Sequence, residues 1–310
     1  MIEKVWTEKG EMKALEVDPD NVFSTAEEVG DALRTVGYLA DDRIAQAVHL
    51  GYRLQKPVLV EGPAGTGKTE LAKSVALATN SQLIRLQCYE GLDESKALYE
   101  WDYRKQLLHL QARGQKEPGS ITTEPELDLF DEYFLLTRPL LKAIRSTDSV
   151  VLLIDEVDRI DVQTEALLLE VLSEYQVSIP ELGTVTATRI PAVFLTSNNS
   201  RDLSDALKRR CLYLNIDYPS AERERDIIAA RVPGISLQLA ETVSEVIRSL
   251  RSMNLSKKPS ISETLDWART LTILNVDEVS SDVLLDTLPV LLKNQSDIAL
   301  ATKELAETPR

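Results

Sequence analysis

One eight-residue segment restricts the fold of this chain more than any other feature. Gly62-Pro-Ala-Gly-Thr-Gly-Lys68-Thr69 matches the pattern Gly-x-x-x-x-Gly-Lys-Ser/Thr in full, after a short apolar run and before a helical pattern. Glycines there let backbone N–H groups turn toward a phosphate, and the helix N-terminus adds partial positive charge. The pattern predicts a phosphate-binding loop (P-loop) that holds a nucleotide through Gly62, Pro63, Ala64, Gly65, Thr66, Gly67, Lys68 and Thr69.

A pair of carboxylates at the end of a second apolar run predicts the rest of the site. Asp155 and Glu156 follow the run 150–154, at the strand end where open α/β sheets bind ligands. We expect Thr69 and Asp155 to hold Mg²⁺, Lys68 to reach the β- and γ-phosphates, and Glu156 to deprotonate the attacking water. The nearby Asp158 and Asp161 are interpreted as solvated residues at a helix start.

The alternation of apolar runs with helical patterns predicts the fold class. Runs typical of buried parallel strands occupy residues 57–60, 83–86, 150–154 and 192–196, and helical patterns lie between them at 70–78 and 134–145. Upstream, the capping-box spacing of Ser24 and Glu27 opens a helix to about residue 35, and a second helix covers 41–54. The expected fold is α/β, a parallel sheet flanked by helices.

Beyond Pro219 the strand signal disappears and four helical patterns follow, at residues 221–231, 237–253, 261–272 and 282–292. We therefore expect three parts: an N-terminal extension (1–23), an α/β nucleotide-binding core (24–218) and a small all-helical lid domain (219–310). Within the core, residues 111–127 are interpreted as an exposed inserted loop, and segments 177–180 and 185–190 as a hairpin around Gly183.

The charge balance argues against nucleic acid as a partner. The chain has 35 Lys and Arg against 50 Asp and Glu, a net charge of −15, whereas a nucleic-acid binder usually displays a basic surface. No run approaches the ~20 apolar residues that span a bilayer, and residues 1–17 lack the apolar stretch of a signal peptide. Two cysteines and two histidines predict neither a disulfide framework nor a His/Cys metal site. We expect a cytoplasmic protein without a transmembrane segment.

The order of these motifs resembles that of AAA+ ATPases, with Phe194-Leu-Thr-Ser-Asn198 as the next strand after the Asp-Glu pair. The resemblance implies ATP and Mg²⁺ as cofactors and ATP hydrolysis as the activity. In that family an asparagine at this strand end, sensor 1, contacts the γ-phosphate and the attacking water. The resemblance assigns that role to Asn198, with Asn199 as the alternative.

Two further roles follow from the same resemblance. The segment Leu203-Ser-Asp-Ala-Leu-Lys-Arg209-Arg210 is similar to the one that presents an arginine finger to the neighbouring subunit's ATP. Arg210 is the first candidate for the finger and Arg209 the second. Tyr38 lies before a core helix, where relatives hold adenine against apolar side chains.

Three details resemble the MoxR-type subgroup: the hairpin before Asn198, the stretch from Leu86-Gln-Cys-Tyr-Glu-Gly-Leu-Asp93 to Arg138-Pro-Leu-Leu141, and Lys258-Pro-Ser-Ile-Ser-Glu263. The stretch is similar to the branch associated with carbon monoxide dehydrogenase maturation. The chain departs from many relatives at sensor 2, because Thr264 stands near the place of the usual arginine and Arg269 lies further along.

The subgroup resemblance implies a ring, commonly a hexamer, that works with a von Willebrand factor A domain protein. Together they would remodel a client metalloenzyme or finish its cofactor. Three alternatives stay open at this point: the ATPase subunit of a chelatase-like metal-insertion machine, a nucleic-acid or transcription motor, and a non-hydrolysing nucleotide-bound scaffold. The acidic balance disfavours the motor, and the intact Lys68, Asp155, Glu156 and Arg210 disfavour the scaffold.

Overall fold

A computed structural model of the chain describes residues 3–6, 12–15, 22–114 and 128–307. The strands, in chain order, are β1 Glu3–Trp6, β2 Met12–Leu15, β3 Val58–Glu61, β4 Gln82–Gln87, β5 Tyr99–Trp101, β6 Leu135–Thr137, β7 Val150–Asp155, β8 Gln176–Ile179, β9 Gly183–Thr186, β10 Ala192–Ser197 and β11 Leu212–Asn215. The α-helices are α1 Ala26–Thr35, α2 Asp42–Leu54, α3 Lys68–Ala78, α4 Glu94–Ala97, α5 Tyr103–Gly114, α6 Pro139–Arg145, α7 Val162–Glu174, α8 Asp205–Arg210, α9 Ala221–Arg231, α10 Leu237–Ser252, α11 Ile261–Ile273, α12 Ser281–Leu291 and α13 Gln295–Glu307.

A five-stranded parallel sheet forms the centre of the α/β part, in the order β11-β3-β10-β7-β4. Successive side chains of β3 and β7 alternate between two apolar clusters, one on each face of the sheet. All described positions of these two strands are buried, as expected of a parallel sheet covered on both faces. The predicted α/β fold is confirmed, and each predicted strand is present.

The first helix begins one residue later than its capping pattern predicted. Thr25, rather than Ser24, is the N-cap: its side chain accepts from the Glu28 backbone N–H at 3.2 Å. The carboxylate of Glu28, rather than Glu27, accepts from the Ser24 backbone N–H. The sequence Ser24-Thr-Ala-Glu-Glu28 offers the same spacing in two registers, so the pattern alone could not choose between them.

The predicted helix over 134–145 is wrong in its first half. Residues Glu132–Phe134 form a 3₁₀ turn, and β6 then pairs antiparallel with β5. The helix starts at Pro139, because proline suits the first helical position and keeps Arg138 extended, at φ −93° and ψ 173°. Of the predicted loop 111–127, the first four residues belong to α5, and residues 115–127 lie outside the described part.

The hairpin is confirmed, with β8 and β9 antiparallel around the turn before Gly183, although its second arm ends at Thr186. The four predicted C-terminal helices are confirmed to within about one residue at each end, and α13 was not predicted. They surround a separate apolar cluster, in which the Trp267 indole donates to Thr287 at 2.8 Å. The boundary at Pro219 falls between β11 and α9 and stays a prediction.

Among the described residues, none of the helices combines the length and apolar character needed to cross a bilayer. Cys88 and Cys211 are both free thiols. Burial raises the pKa of each thiol to about 12, so neither is a thiolate near neutral pH.

A buried ion pair ties the helical part together and generates a stability prediction. The Arg251 guanidinium binds both carboxylate oxygens of Glu224, at 2.7 and 2.8 Å, and the two side chains are 10% and 1% exposed. Arg251→Met would leave the Glu224 charge buried and unpaired, so we expect a loss of about 3–5 kcal/mol in the free energy of unfolding. Urea titration followed by circular dichroism measures it.

The matched control is Arg269→Met, which removes an arginine from the exposed pair with Asp266. That pair is half exposed, so its loss should change the unfolding free energy by less than about 1 kcal/mol. Equal destabilisation by the two variants would contradict a stabilising role of the buried pair Arg251–Glu224.

Candidate active site

The P-loop runs from the end of β3 to Gly67, the N-cap residue of α3. A Cβ at Gly62 would lie 1.9 Å from the Ile216 carbonyl oxygen, and one at Gly65 would lie 2.3 Å from the Ser260 hydroxyl. Both glycines also have positive φ, so a larger residue would be excluded by sterics and by backbone conformation. The loop therefore packs directly against the strand exit at Ile216 and the start of α11.

The rest of the loop closes on itself. The Thr66 hydroxyl donates to the Pro63 carbonyl at 3.0 Å, while Ala64 is exposed at the outer edge. The Lys68 ammonium is buried and donates to the carbonyls of Gly62 and Pro63 at 2.8 and 2.6 Å. Burial lowers its pKa to about 8, although Asp158, Asp155 and Glu156 act in the opposite direction. A phosphate entering the loop would meet this ammonium directly.

Thr69 and Asp155 meet across the sheet edge, as the sequence predicted for two ligands of one metal ion. The Thr69 hydroxyl donates to Asp155 Oδ1 at 2.8 Å, and the carboxylate is 2% exposed. The described residues contain no group of three or more acidic, histidine or cysteine side chains arranged for a metal. Magnesium bound to nucleotide needs few protein ligands, because phosphates and waters supply the others. A hydroxyl and one carboxylate therefore fit Mg²⁺.

Arg85 is a site residue that the sequence reasoning missed. Its Nε donates to Asp155 Oδ2 at 3.0 Å, and its guanidinium also contacts Gln87. A charged side chain inside the apolar run 83–86 was the available signal. Arg85 thus places a positive charge beside the carboxylate that would hold the metal ion.

Glu156 is oriented separately from Asp155. It has a left-handed backbone, with φ 58°, and its N–H donates to the Thr196 hydroxyl at 2.9 Å. Its carboxylate accepts from Gln87 Nε2 at 3.1 Å and pairs with Arg159 Nε at 2.9 Å. A left-handed non-glycine residue is sterically unfavourable, and the Thr196 contact holds it in place. The two adjacent acids thus face different partners, and their predicted roles in metal binding and water activation stay predictions.

Asn198 follows β10 and lies beside the P-loop, because Ser197 is the register partner of Glu61 in β3. Its backbone N–H donates to Asp158 Oδ2 at 3.2 Å. Asn199, the alternative sensor, adopts a left-handed conformation in the turn that follows, with φ 59°. The position of Asn198 agrees with a sensor role, which stays a prediction.

The interpretation of Asp158 as a solvated residue is wrong. The side chain is 4% exposed, because a 3₁₀ turn over Val157–Arg159 folds it beneath the end of β10. Asp161 does lie at a helix start, where it caps α7 by accepting from the Thr164 N–H at 2.8 Å. Sequence periodicity does not extend through a tight turn, so the pattern gave no sign that Asp158 turns inward.

Arg210 lies far from the other predicted residues. It ends α8, and the following strand β11 begins opposite Val58, the first residue of β3. The P-loop leaves from the other end of β3, about 13 Å away along the strand. Arg210 Nε donates to Ser173 at 2.6 Å. The structure therefore does not bring Arg210, or its neighbour Arg209, to the nucleotide site of its own chain.

A cavity of about 410 Å³ opens beside the P-loop, between residues 37–44, α9 and the start of α11. Tyr38 lies on its wall against Gly67, and burial raises the pKa of its hydroxyl far above the usual value. The contact of Tyr38 with adenine stays a prediction. Two arginines of α9 cross to the core at this cavity. Arg223 donates to Asp41 at 2.6 Å, and Arg231 pairs with Glu70.

The place expected for sensor 2 holds Thr264, and in the part of the chain that the structure describes Arg269 does not contact the P-loop. Thr264 is fully buried and donates to Glu224 at 2.9 Å, while Arg269 is half exposed and pairs with Asp266. Instead, the backbone makes the contact: the Ile261 N–H donates to the Gly65 carbonyl at 3.2 Å.

Comparison with known proteins agrees with this geometry. Residues 57–211, half of the chain, match the family described as AAA domain (dynein-related subfamily). The chain belongs to this AAA domain family. The matched segment contains the P-loop, the Asp155–Glu156 pair, Asn198 and Arg210. Membership implies a nucleotide-binding P-loop domain with a divalent metal.

Relatives of this AAA domain protein occur in staphylococci. An uncharacterized protein of Staphylococcus haemolyticus is 23% identical over 262 residues, covering 80% of this chain and 90% of that protein. An uncharacterized protein of Staphylococcus aureus is 24% identical over 253 residues, covering 76% and 86%. Among solved structures, a mutant of Thermotoga maritima RuvB gives a TM-score of 0.46 at 18% identity, covering 89% of this chain and 74% of that one. The Thermotoga maritima RuvB Holliday junction branch migration motor gives 0.42 at 20% identity, covering 91% and 72%.

The lowered pKa of Lys68 generates a prediction on pH. A Lys68 pKa of about 8 means that the free protein loses this charge as pH rises from 7 to 9. Phosphate binding favours the ammonium form, so the Kd for ADP should increase about tenfold over that range. Titration calorimetry at constant ionic strength measures it.

Lys68→Arg provides the control, since a guanidinium stays charged throughout this range. Its affinity for ADP should be lower than that of the unmodified chain at pH 7 but should not change with pH. Parallel pH profiles of the two proteins would contradict the prediction.

Proposed function

We propose that the chain hydrolyses ATP at the P-loop. The contact between the Thr69 hydroxyl and Asp155, at 2.8 Å beside the buried Lys68 ammonium, carries the proposal. In it, Thr69 and Asp155 bind Mg²⁺, which when bound offsets negative charge on the phosphates. Lys68 binds the β- and γ-phosphates, and the P-loop N–H groups orient them.

Glu156 is proposed to take a proton from the attacking water, and Asn198 to orient that water and the γ-phosphate. Two observations support the first role: the Glu156 carboxylate is separate from the metal ligand, and Gln87 and Arg159 hold its oxygen. The location of Asn198 beside Gly62 at the same sheet edge supports the second. Tyr38 is proposed to pack against the adenine, supported by its place on the cavity wall.

Arg210 is proposed to act on the ATP of a neighbouring subunit, with Arg209 as the alternative. Its place at the far sheet edge excludes action on its own nucleotide, whereas a closed head-to-tail ring would bring it to the next one. An arginine supplied in this way accelerates related hydrolyses by about 10³–10⁵. We propose a hexamer, the commonest ring size of proteins that this sequence resembles.

The proposed task is remodelling of a partner protein in the cytoplasm, as in MoxR-type chaperones. A von Willebrand factor A domain protein would be the adaptor and a metalloenzyme the client, in the manner of carbon monoxide dehydrogenase maturation. The net charge of −15 supports a protein client over nucleic acid. The direct packing of the P-loop on the start of α11 supports a lid that moves with nucleotide state. The chelatase-like alternative differs only in its partner.

Glu156→Gln tests the hydrolytic mechanism. The amide keeps the shape of the side chain but cannot accept the water's proton, so we expect kcat to fall at least about 100-fold. Nucleotide affinity should change little, because the Glu156 carboxylate is held by Gln87 and Arg159 rather than by Lys68 or Thr69. Phosphate release and fluorescent-nucleotide binding measure the two quantities. Glu170→Gln, on the exposed face of α7, is the control and should retain wild-type turnover.

The same variant tests the client. Tagged Glu156→Gln should retain partners that normally leave on hydrolysis, and mass spectrometry after capture with ATP and Mg²⁺ identifies them. A von Willebrand A protein together with a metalloenzyme would support the maturation role. Nucleic acid or transcription proteins in their place would overturn it and support a motor.

Mixing of inactive variants tests the finger. Arg210→Ala lacks the finger and Lys68→Ala lacks a competent nucleotide site, so each should hydrolyse ATP poorly alone. Mixed rings contain intact sites beside subunits that still carry Arg210, so we expect activity to return on mixing. If this mixture stays inactive, and a mixture of Arg209→Ala with Lys68→Ala recovers activity, the finger would be Arg209.

A further inference from the structure

A buried carboxylate joins the two strand ends that carry the proposed hydrolytic residues. Directly after Glu156, the 3₁₀ turn over Val157–Arg159 directs Asp158 under the end of β10. One oxygen, Oδ2, accepts three hydrogen bonds from the turn after that strand. The donors are the Asn198 N–H at 3.2 Å, the Ser200 N–H at 2.9 Å and the Ser200 hydroxyl at 2.6 Å.

This carboxylate stays charged although it is buried. Burial raises the pKa of Asp158, but the hydrogen bonds from Ser200 and Asn198 outweigh that effect and leave the pKa below its usual value. No ion pair of the Asp158 side chain occurs among the described residues. Its charge is therefore stabilised mainly by the donors of the Asn198–Ser200 turn, which ties the position of the turn to that of the carboxylate.

The second oxygen of Asp158 has no structural partner among the described residues that would explain its burial. Oδ1 is buried and has no hydrogen-bond partner in the described part of the chain. Buried polar atoms normally have a partner, so such an atom calls for an explanation. Of the acidic groups that raise the pKa of Lys68, Asp158 has the largest effect, so the carboxylate lies within electrostatic reach of that ammonium.

Helix capping does not account for Asp158. Asp161 already caps α7, whereas the described donors to the Asp158 side chain are Asn198 and Ser200. Within the described ranges, the hydrogen-bond partners of Asp158 lie on the segment after β10, and Glu156, two residues earlier, is bound to Thr196 of that strand. Two successive contacts thus connect the turn after β7 to the end of β10.

We propose that Asp158 is a positioning residue for ATP hydrolysis, which holds the Asn198 turn in a fixed place relative to Glu156. The inference rests on the proposed ATPase activity. Hydrolysis requires the water-activating group and the group that orients water and γ-phosphate to keep their relative geometry, and misplacement by about 1 Å can reduce a rate roughly 100-fold. Asp158 would act through Asn198 and not on the substrate itself.

The test is a double-mutant cycle on hydrolysis, with Asp158→Ala, Asn198→Ala and the double variant. We expect Asp158→Ala to lower kcat roughly 100-fold while the Kd for ADP changes less than about threefold. Because Asp158 acts through Asn198, the double variant should be no slower than Asn198→Ala alone. Independent roles would instead give multiplied losses.

Two milder variants keep the test valid if Asp158→Ala fails to fold. Ser200→Ala removes one donor of the turn from an exposed residue and should lower kcat by a smaller factor than Asp158→Ala. Asp158→Asn keeps the side-chain shape and one acceptor and should fall between wild type and alanine. The matched control is Asp161→Ala. The Asp161 carboxylate lies three residues further along the chain and accepts a hydrogen bond from the Thr164 N–H, outside the Asn198–Ser200 turn.

The outcomes separate this inference from the proposed function. An unmodified protein without ATPase activity would overturn the proposed function itself. An active protein in which Asp158→Ala and Ser200→Ala retain wild-type kcat, or in which the losses of Asp158→Ala and Asn198→Ala multiply, would overturn the positioning role alone. A fall in kcat equal to that of Asp161→Ala would likewise reduce Asp158 to a structural residue.

Discussion

Parallel pairing of the five central strands is the constraint on which the site depends. Because all five run the same way, their carboxyl ends lie along one edge of the sheet, and the residue after each end meets those of its neighbours. The P-loop leaves from β3, Asp155 ends β7 and Asn198 follows β10. An antiparallel neighbour would send one of these groups to the opposite edge. Arg210, which precedes β11 instead of following it, lies at that opposite edge for the same reason.

Concentrating charge at one buried edge requires that each group have a defined partner. Asp155 is bound by Thr69, Thr196 and Arg85, Asp158 by the Asn198–Ser200 turn, and Lys68 by two loop carbonyls. Carboxylates buried without such partners would protonate or destabilise the fold. The donors of the Asn198–Ser200 turn hold the pKa of Asp158 below its usual value, close to a lysine whose pKa burial has lowered. Substrate binding would exchange some of these partners for phosphate and metal.

The sequence predicted the features that depend on local pattern. Each of three site segments directly follows an apolar strand: the P-loop, the Asp155–Glu156 pair and Asn198. Because the strands are parallel, these segments lie at the same edge of the sheet. Features set by distant partners were missed. The β6 strand exists because β5 pairs with it, and the contacts of Arg223 with Asp41 and of Arg231 with Glu70 join residues far apart in the chain. Asp158 was misjudged because a tight turn reverses which side of the chain faces the protein interior.

The missing Cβ at Gly65 has a mechanical consequence. The Ser260 side chain fills that space, and the next residue binds the Gly65 carbonyl through its backbone. The loop cannot shift on a phosphate without carrying the first turn of α11 with it, and this 13-residue helix is about 20 Å long. The first turn of α11 is therefore fixed to the P-loop, while the rest of the helix packs against the neighbouring helices α9, α10 and α12. A small rotation of α11 about its P-loop end would therefore produce a larger displacement at its opposite end, about 20 Å away.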